Sequence, residues 1–250
     1  MSESRLKREA EYFDKVPPAS SGEGARATAG KFYAVTRSSK GLYRELVKRN
    51  CAGSRILEYG CGPGSEAFEL ARRGAEVHAI DISEGALEIA RRTAAEQEVA
   101  DRITFHLMNA EDLQFEDGYF DKVCGSGILH HLDLEVSMKE LARVMKPGAR
   151  SFFFEPLGHN PFINLYRALT PSMRTPDEHP LLTRDLELIR ESFNDVRYHY
   201  FHLTALLAAP FRSFPGFRAV VGMLNGLDGL LLRIRPLKRQ AWIVVIELRT

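Results

Sequence analysis

The sequence is poor in cysteine, with three residues, at positions 51, 61 and 124. Their number is odd, and their spacing fits neither a disulfide framework nor a zinc site, which favours a reducing compartment over secretion. The polar, charged N-terminal residues lack the apolar core of a signal peptide. No uninterrupted apolar run approaches the roughly eighteen residues of a membrane span. We therefore expect a cytoplasmic protein.

A strong charge bias is also missing. Lysine and arginine number 34 against 33 aspartates and glutamates, a formal net charge of +1. This balance provides no general electrostatic attraction to nucleic acid, so we expect no nucleic-acid partner. A length of 250 residues with 44% hydrophobic residues suits one elaborated α/β domain with ample room for a core.

The most informative stretch is Arg55-Ile-Leu-Glu-Tyr-Gly-Cys-Gly-Pro-Gly64, an apolar run that ends in an acid and a glycine-dense turn. Gly60, Gly62 and Gly64 allow the backbone to turn tightly and to approach a ligand without a Cβ in the way. A helix predicted to begin at Ser65 directs its N-terminal amides at whatever lies over that turn. The stretch therefore predicts a ligand-binding loop.

A second apolar run, Glu76-Val-His-Ala-Ile80, follows and ends in Asp81. At the carboxyl end of a second parallel strand, this carboxylate can accept hydrogen bonds from ribose hydroxyls, as in dinucleotide-binding folds. The two runs together predict an adenosine-containing cofactor above the first crossover of a parallel sheet. The alternative is a loop with a chance cluster of glycines.

The identity of the cofactor depends on the glycine spacing. The dinucleotide fingerprint would place its third glycine at position 65, where the chain has serine. The segment instead resembles motif I of the class I S-adenosylmethionine-dependent methyltransferases, and it matches that motif at Glu58, Gly60, Gly62 and Gly64. An NAD-dependent oxidoreductase and a non-catalytic cofactor-binding interaction protein are the alternatives.

Later motifs of the same family follow in order. Residues 108–115 resemble its adenine-binding stretch, residues 119–132 its fourth strand and exit loop, and residues 144–155 its helix stop and fifth strand. The resemblance is strong over residues 40–156 and includes methyltransferases of quinone biosynthesis. Asn109 replaces the usual aspartate of the adenine-binding stretch, but its amide oxygen can still accept a hydrogen bond from an adenine amine.

The resemblance implies an enzyme that binds S-adenosylmethionine and methylates oxygen or carbon of a small acceptor. The cofactor-binding positions that it implies are Glu58, Gly60, Gly62, Gly64, Asp81, Ile82, Asn109, Ala110, Glu111 and Gly125, together with Tyr33 from the N-terminal region. We expect no metal site, because His130 and His131 have no third ligand at a usable spacing.

Methylation of a carbon or oxygen acid needs a general base near the cofactor. His159 is the first candidate, because it follows the predicted fifth strand and substrate-facing loops gather at the carboxyl ends of parallel strands. Glu155 and His179 are the second candidates. A purely structural hydrogen-bonding role is the alternative for each.

The order of apolar runs and helical patterns predicts a doubly wound α/β fold with a mostly parallel, seven-stranded sheet. The family that the chain resembles ends its sheet with an antiparallel hairpin of the last two strands, so the resemblance implies an antiparallel last strand. The predicted strands are residues 54–59, 75–81, 102–107, 119–124, 149–155, 196–203 and 241–248. Residues 1–53 are predicted to form a helical cap, with a mobile joint at residues 17–24. We expect residues 12–33 to close over the cofactor. Residues 54–250 form the predicted methyltransferase domain.

Residues 204–238 form an apolar helical insertion between the last two predicted strands, far longer than an ordinary hairpin loop. Apolar helices with basic rims can lie at a bilayer surface or roof a hydrophobic pocket. The alternative is a core-facing lid that builds a homodimer interface. The first two roles favour a hydrophobic small-molecule acceptor. We expect it to enter between the proline-rich loop after strand five and the insertion. Residues 204–238 would also make the peripheral membrane contact.

Overall fold

The computed structural model describes residues 3–15, 34–169, 179–213 and 215–250. The predicted joint at residues 17–24 and Tyr33 lie outside the described residues. The helices are α1 (Glu3–Lys15), α2 (Arg37–Lys48), α3 (Ser65–Arg72), α4 (Glu84–Glu96), α5 (Leu134–Val144), α6 (Pro161–Leu169), α7 (Thr183–Ser192), α8 (Phe217–Leu231) and α9 (Arg235–Lys238). The strands are β1 (Arg55–Tyr59), β2 (Glu76–Asp81), β3 (Ile103–Leu107), β4 (Phe120–Ser126), β5 (Met145–Pro156), β6 (Asp195–Phe201) and β7 (Ile243–Arg249).

Seven strands of the described chain form one sheet in the order β3-β2-β1-β4-β5-β7-β6. The first five strands pair in parallel, and β7 is antiparallel to both β5 and β6. The strand order reverses between β1 and β4, which is where ligands bind in open α/β sheets. The predicted doubly wound sheet with an antiparallel last strand is confirmed.

Helices cover both faces of the sheet, and this explains why the parallel strands are apolar throughout. On β1, Ile56 belongs to the core beneath α2, α3 and α4, whereas the neighbouring Leu57 belongs to the core beneath α5 and α7. Both side chains are fully buried. Successive side chains on a strand point to opposite faces, so each strand contributes to both cores.

The N-terminal region is divided between two places in the fold. Helix α2 packs against β5 and β7 and so belongs to the layer that covers the sheet. Helix α1 instead contacts α4. The predicted boundary between a cap of residues 1–53 and the rest of the chain stays a prediction.

The start of β5 differs from the prediction. Lys146-Pro-Gly148 indicated the end of a helix, with a strand beginning only at residue 149. In the structure β5 already begins at Met145, which pairs with Phe120 of β4. The next pair is Lys122 with Arg150, so the register between the two strands shifts between these pairs. Proline lacks an amide donor and is tolerated at such an irregularity. The three residues are therefore part of an irregular strand start.

The insertion is attached to the end of β6 by a buried acid. The Asp228 carboxylate of α8 accepts hydrogen bonds from the backbone amides of Leu203, Thr204 and Ala205, at 3.0, 2.7 and 3.2 Å. Since β5 and β6 are both antiparallel to β7, β6 runs in the direction of β5. The insertion consequently leaves the sheet at the edge where the parallel strands end.

Candidate functional site

A cavity of about 590 Å³ lies at the carboxyl ends of β1, β2 and β4. Six short segments of the sheet's loops and helices line it, together with three residues of α1. The segments fall within residues 60–63, 80–82, 85–89, 108–110, 126–128 and 131–132. The predicted ligand-binding loop is thus the floor of a cavity at the switch point of the sheet.

The loop after β1 is shaped by glycines in the left-handed region. Gly60 has φ +67° and Gly62 has φ +51°. A Cβ on Gly60 would lie 2.7 Å from Cδ1 of Ile128 in the loop after β4, so the two loops meet at this glycine. The amide of Cys61 donates to the carbonyl of Ile80 at 2.9 Å. These contacts bring the ends of β1, β2 and β4 together around one space.

Asp81 lines the cavity in a fixed orientation. Its Oδ2 accepts from the amide of Gly62 at 2.7 Å and its Oδ1 from the amide of Ser83 at 2.9 Å. Burial raises the pKa of this carboxyl, and the hydrogen bonds from Ser83 and Gly62 oppose that rise. The carboxylate therefore enters the cavity as a pre-oriented acceptor, as expected for a group that binds hydroxyls.

Two residues of motif I, Glu58 and Gly64, lie outside the cavity lining. Glu58 is buried, and burial first, then the nearby Glu66 carboxyl, raises its pKa to about 8. The amide of Ala67 in α3 donates to it. Gly64, with φ +86°, precedes α3, and a Cβ there would lie 2.8 Å from the Phe68 ring. Both residues shape the loop from behind, and their direct contact with a cofactor stays a prediction.

The pKa of Glu58 leads to a testable pH dependence. A carboxyl whose pKa is raised on folding stabilises the fold below its unfolded pKa of 4.5, and this contribution is lost as the pH rises through about 8. Glu58→Gln is expected to match the parent protein near pH 5. Near pH 8.5 the variant should be more stable by on the order of a few kcal/mol. The parent must then keep Glu58 protonated or bury its ionised carboxylate, whereas glutamine is neutral at every pH.

Urea unfolding at the two pH values measures this difference. Glu191→Gln, which changes an exposed carboxyl on α7, is the matched control and should show no such change. An equal stability difference for Glu58→Gln at both pH values would contradict a raised pKa.

The predicted adenine-binding stretch lies partly in the cavity. Asn109 and Ala110 line it, and Oδ1 of Asn109 accepts from the amide of Glu111 at 3.0 Å. Glu111 itself is outside the lining, where it accepts from Arg5 at 3.0 Å and from the amide of Asp133 at 2.7 Å. The Asn109 side chain thus stabilises the turn of the loop to which it belongs.

Ile82 and Gly125 have different positions. Ile82 lines the cavity beside Asp81. Gly125 is outside the lining, and a Cβ there would lie 2.9 Å from Ile128 and from the Phe153 ring. Gly125 therefore permits close packing of β4 against the exit loop and against β5.

Helix α1 lies across the cavity and lines it with Leu6, Glu9 and Asp14. At one end, Oδ1 of Asp14 accepts from the Ser83 hydroxyl at 2.6 Å and from the amide of Gly85 at 3.2 Å. At the other end, Arg5 binds Glu111 and the backbone carbonyl of His131. Of the predicted cover, residues 12–33, those after Lys15 lie outside the described residues. Asp14 belongs to the predicted range, whereas Leu6 and Glu9 precede it. Tyr33 lies outside the described residues.

Glu155 holds the loop after β4. It is completely buried, and its Oε1 accepts from the amides of Ile128 and Leu129, both at 2.9 Å. Its Oε2 lies 2.7 Å from Nδ1 of His130. Because the carboxyl is enclosed and has three partners, it positions the exit loop, and its predicted role as a base stays a prediction.

His131 is the histidine that lines the cavity. Its ring centroid is 4.2 Å from that of His130, and its Nδ1 is 3.5 Å from Oε1 of Glu9 on α1. Both His131 and Glu9 are buried. His131 and Glu9 thus meet at the wall of the cavity, and His130 and Glu155 lie behind them.

The other histidine candidates are placed elsewhere. Nε2 of His159 accepts from the amide of Thr183 at 3.1 Å, at the start of α7, and the ring is outside the cavity lining. His179 is exposed, and its amide donates to the carbonyl of His130 at 3.2 Å. The sequence ranked His159 above His131, although the His130-His131 pair in the exit loop was the available signal. Nothing in the sequence pattern indicated Leu6 or Glu9, whereas Asp14 lies within the predicted cover of residues 12–33.

Comparison with known proteins identifies the domain. Residues 56–148 match the family described as "Methyltransferase domain". Residues 56–148 of the chain carry a methyltransferase domain. The matched segment runs from β1 to the start of β5, and the cavity's glycine loop, Asp81 and exit loop all lie within it.

Relatives with curated names match over the same part of the chain. A demethylmenaquinone methyltransferase from Clavibacter sepedonicus is 38% identical over 129 residues, which are 49% of this chain and 51% of that protein. The chain spans about half the length of the curated relatives it matches.

Solved structures match over nearly the whole length. Geranyl diphosphate C-methyltransferase from Streptomyces coelicolor A3(2), solved with S-adenosyl-L-homocysteine, has a TM-score of 0.68 at 15% identity and covers 99% of this chain and 98% of its own. The [4+2]-cyclase SpnF has a TM-score of 0.65 at 19% identity, with 97% and 94% covered. At these identities the likeness establishes the fold of the methyltransferase domain and its flanking elements alone.

Proposed function

We propose that the protein binds S-adenosylmethionine in the cavity over the glycine loop and transfers its methyl group to a small, mainly hydrophobic acceptor. The observation that supports this most directly is Asp81. It is oriented by Gly62 and Ser83 at the wall of a cavity that is lined mostly by residues of the matched methyltransferase domain.

Each part of the cofactor has a candidate partner. The Asp81 carboxylate would accept from the ribose hydroxyls, and the loop of Asn109 and Ala110 would hold the adenine. Gly60 and Gly62 would allow the methionine part to approach the backbone. When bound, the sulfonium supplies an activated methyl group. Helix α1 covers this space and would exclude water from it.

We assign the role of general base to His131. It is buried in the cavity wall, Glu9 lies beside its Nδ1, and the His130–Glu155 pair supports it from behind. His159 has its Nε2 engaged by Thr183 and lies outside the lining, so it is the weaker candidate. A base at His131 would take the proton of a carbon or oxygen acid as the methyl is transferred.

A hydrophobic acceptor is supported by the apolar part of the cavity wall, which includes Leu6, Met108, Ile128 and Leu132. It also agrees with the quinone and prenyl substrates named for a curated relative and for a structural neighbour. The predicted roof from the insertion receives no such support, because no described residue of 204–238 lines the cavity. The small-molecule acceptor therefore depends on the cavity itself.

Calorimetric titration tests the proposal. S-adenosylhomocysteine, the demethylated product, is expected to bind, and NAD is expected to produce no binding heat, because the third glycine of the dinucleotide fingerprint is Ser65. Tight binding of NAD without a response to S-adenosylhomocysteine would contradict the proposal and favour an oxidoreductase.

A further inference from the structure

Helix α8 in the insertion exposes an apolar stripe. Val220, Met223, Leu227 and Leu230, here called the α8 patch, are exposed, with Met223 at 69% and Leu230 at 61%. Their spacing of three, four and three residues places them on one side of a helix. The buried side of α8 carries Val221 and the charged Asp228. The exposed side of a surface helix is normally polar, and here it carries large apolar side chains instead.

A second exposed apolar stripe lies on α6, at Phe162, Leu165 and Leu169. Asn160, which precedes α6, donates from Nδ2 to the carbonyl of Gln240 at 2.7 Å and so ties this helix to the end of the insertion. Two helices of the described chain, α6 and α8, therefore expose rows of large apolar side chains. Exposed apolar surface of this extent indicates an interaction site.

The charges around the α8 patch have one sign. Residues 203–240 contain six basic residues and one acid. The acid, Asp228, is buried and occupied by backbone amides. The five arginines of this segment are exposed, and none forms an ion pair with a described residue: Arg212, Arg218, Arg233, Arg235 and Arg239. The segment that carries the patch is therefore positive, and it has no exposed acid of its own to compensate the arginines.

We propose that the α8 patch and its arginines bind the surface of an anionic lipid bilayer, with α8 lying in the plane of the interface. Apolar side chains between basic ends suit this position, since the side chains enter the acyl boundary and the arginines meet the lipid phosphates. No helix among the described residues has the length and hydropathy to span a membrane, so the contact is peripheral.

Charge decides between a bilayer and a second copy of the chain. In a two-fold dimer the same patch would face itself, which would bring the arginines of one copy toward those of the other. The insertion has no exposed acid to compensate them. Like charges across an interface are unfavourable. An anionic lipid surface provides the missing counter-charge.

Flotation of the full chain with lipid vesicles tests the proposal, and it needs neither cofactor nor acceptor. The parent protein is expected to float with vesicles of phosphatidylcholine and phosphatidylglycerol and to stay behind with pure phosphatidylcholine. The double variant Met223→Glu/Leu230→Glu should lose at least about tenfold in partitioning, because two apolar side chains no longer enter the interface. Arg218→Glu/Arg233→Glu should lose at least about fivefold for each arginine replaced, because each change removes a positive charge and adds a negative one.

Two matched variants control for general effects. Val136→Glu changes an exposed apolar residue on α5, and Arg184→Glu reverses an exposed charge on α7. Both should float as the parent does, and thermal unfolding should show that all four variants are folded. Absence of flotation with anionic vesicles would overturn the proposal. So would sedimentation showing a dimer that Met223→Glu/Leu230→Glu abolishes while vesicle binding is absent.

Discussion

His131→Ala is expected to lower methyl-transfer turnover by about 10²–10⁴-fold, the usual contribution of a positioned general base. Affinity for S-adenosylhomocysteine should change little, because Asp81 and the adenine loop are untouched. The proposed reaction is followed as S-adenosylhomocysteine released from S-adenosylmethionine with a panel of hydrophobic phenols as test acceptors. The reason for the large effect is geometric, since His131 is the described histidine in the cavity wall.

His199→Ala, on the edge strand β6, is the control and should retain parental turnover. His159→Ala separates the two candidates. We expect it to act mainly on stability, because the amide of Thr183 loses its acceptor. Parental turnover in His131→Ala together with a large loss in a folded His159→Ala would return the base to His159.

Asp81→Ala is expected to weaken binding of S-adenosylhomocysteine by about 1–3 kcal/mol, or roughly five- to 150-fold. Two effects add up in this variant. The ribose hydroxyls lose their acceptor, and the amides of Gly62 and Ser83 lose the carboxylate that joins the two loops. Asp81→Asn keeps one accepting oxygen and should show a smaller loss.

Calorimetric titration measures the affinities of both variants, and thermal unfolding identifies any that fail to fold. Asp101→Ala, at an exposed position before β3, is the matched control and should bind as the parent does. Parental affinity in a folded Asp81→Ala protein would show that this cavity wall does not contact the ribose.

The sequence alone determined the sheet and the floor of the cavity. Strands and crossover helices are set by local hydrophobic periods, and the parallel order follows from short right-handed connections. The glycine turn at Gly60 and Gly62 and the carboxylate at Asp81 are local features too, because each depends on backbone freedom or on its place at a strand end. These residues could therefore be located before their neighbours were known.

Only the tertiary structure decided how α1 lies over the cavity and which histidine lines it. Leu6, Glu9 and Asp14 reach the site because their helix is held by residues far along the chain: Asp14 accepts from Ser83, and Arg5 donates to Glu111. No local pattern encodes such contacts. His131 and His159 both follow strand ends, and only the position of Thr183 on α7 shows that the ring of His159 is engaged elsewhere.

The insertion shows the same division. Its composition predicted apolar helices with a basic rim, but composition does not state which side of a helix faces the protein. The sheet direction and the capping of the β6 exit by Asp228 decide this, because they turn the acid inward and the α8 patch outward. Side-chain periodicity is local, whereas the orientation of a helix follows from the contacts that anchor it.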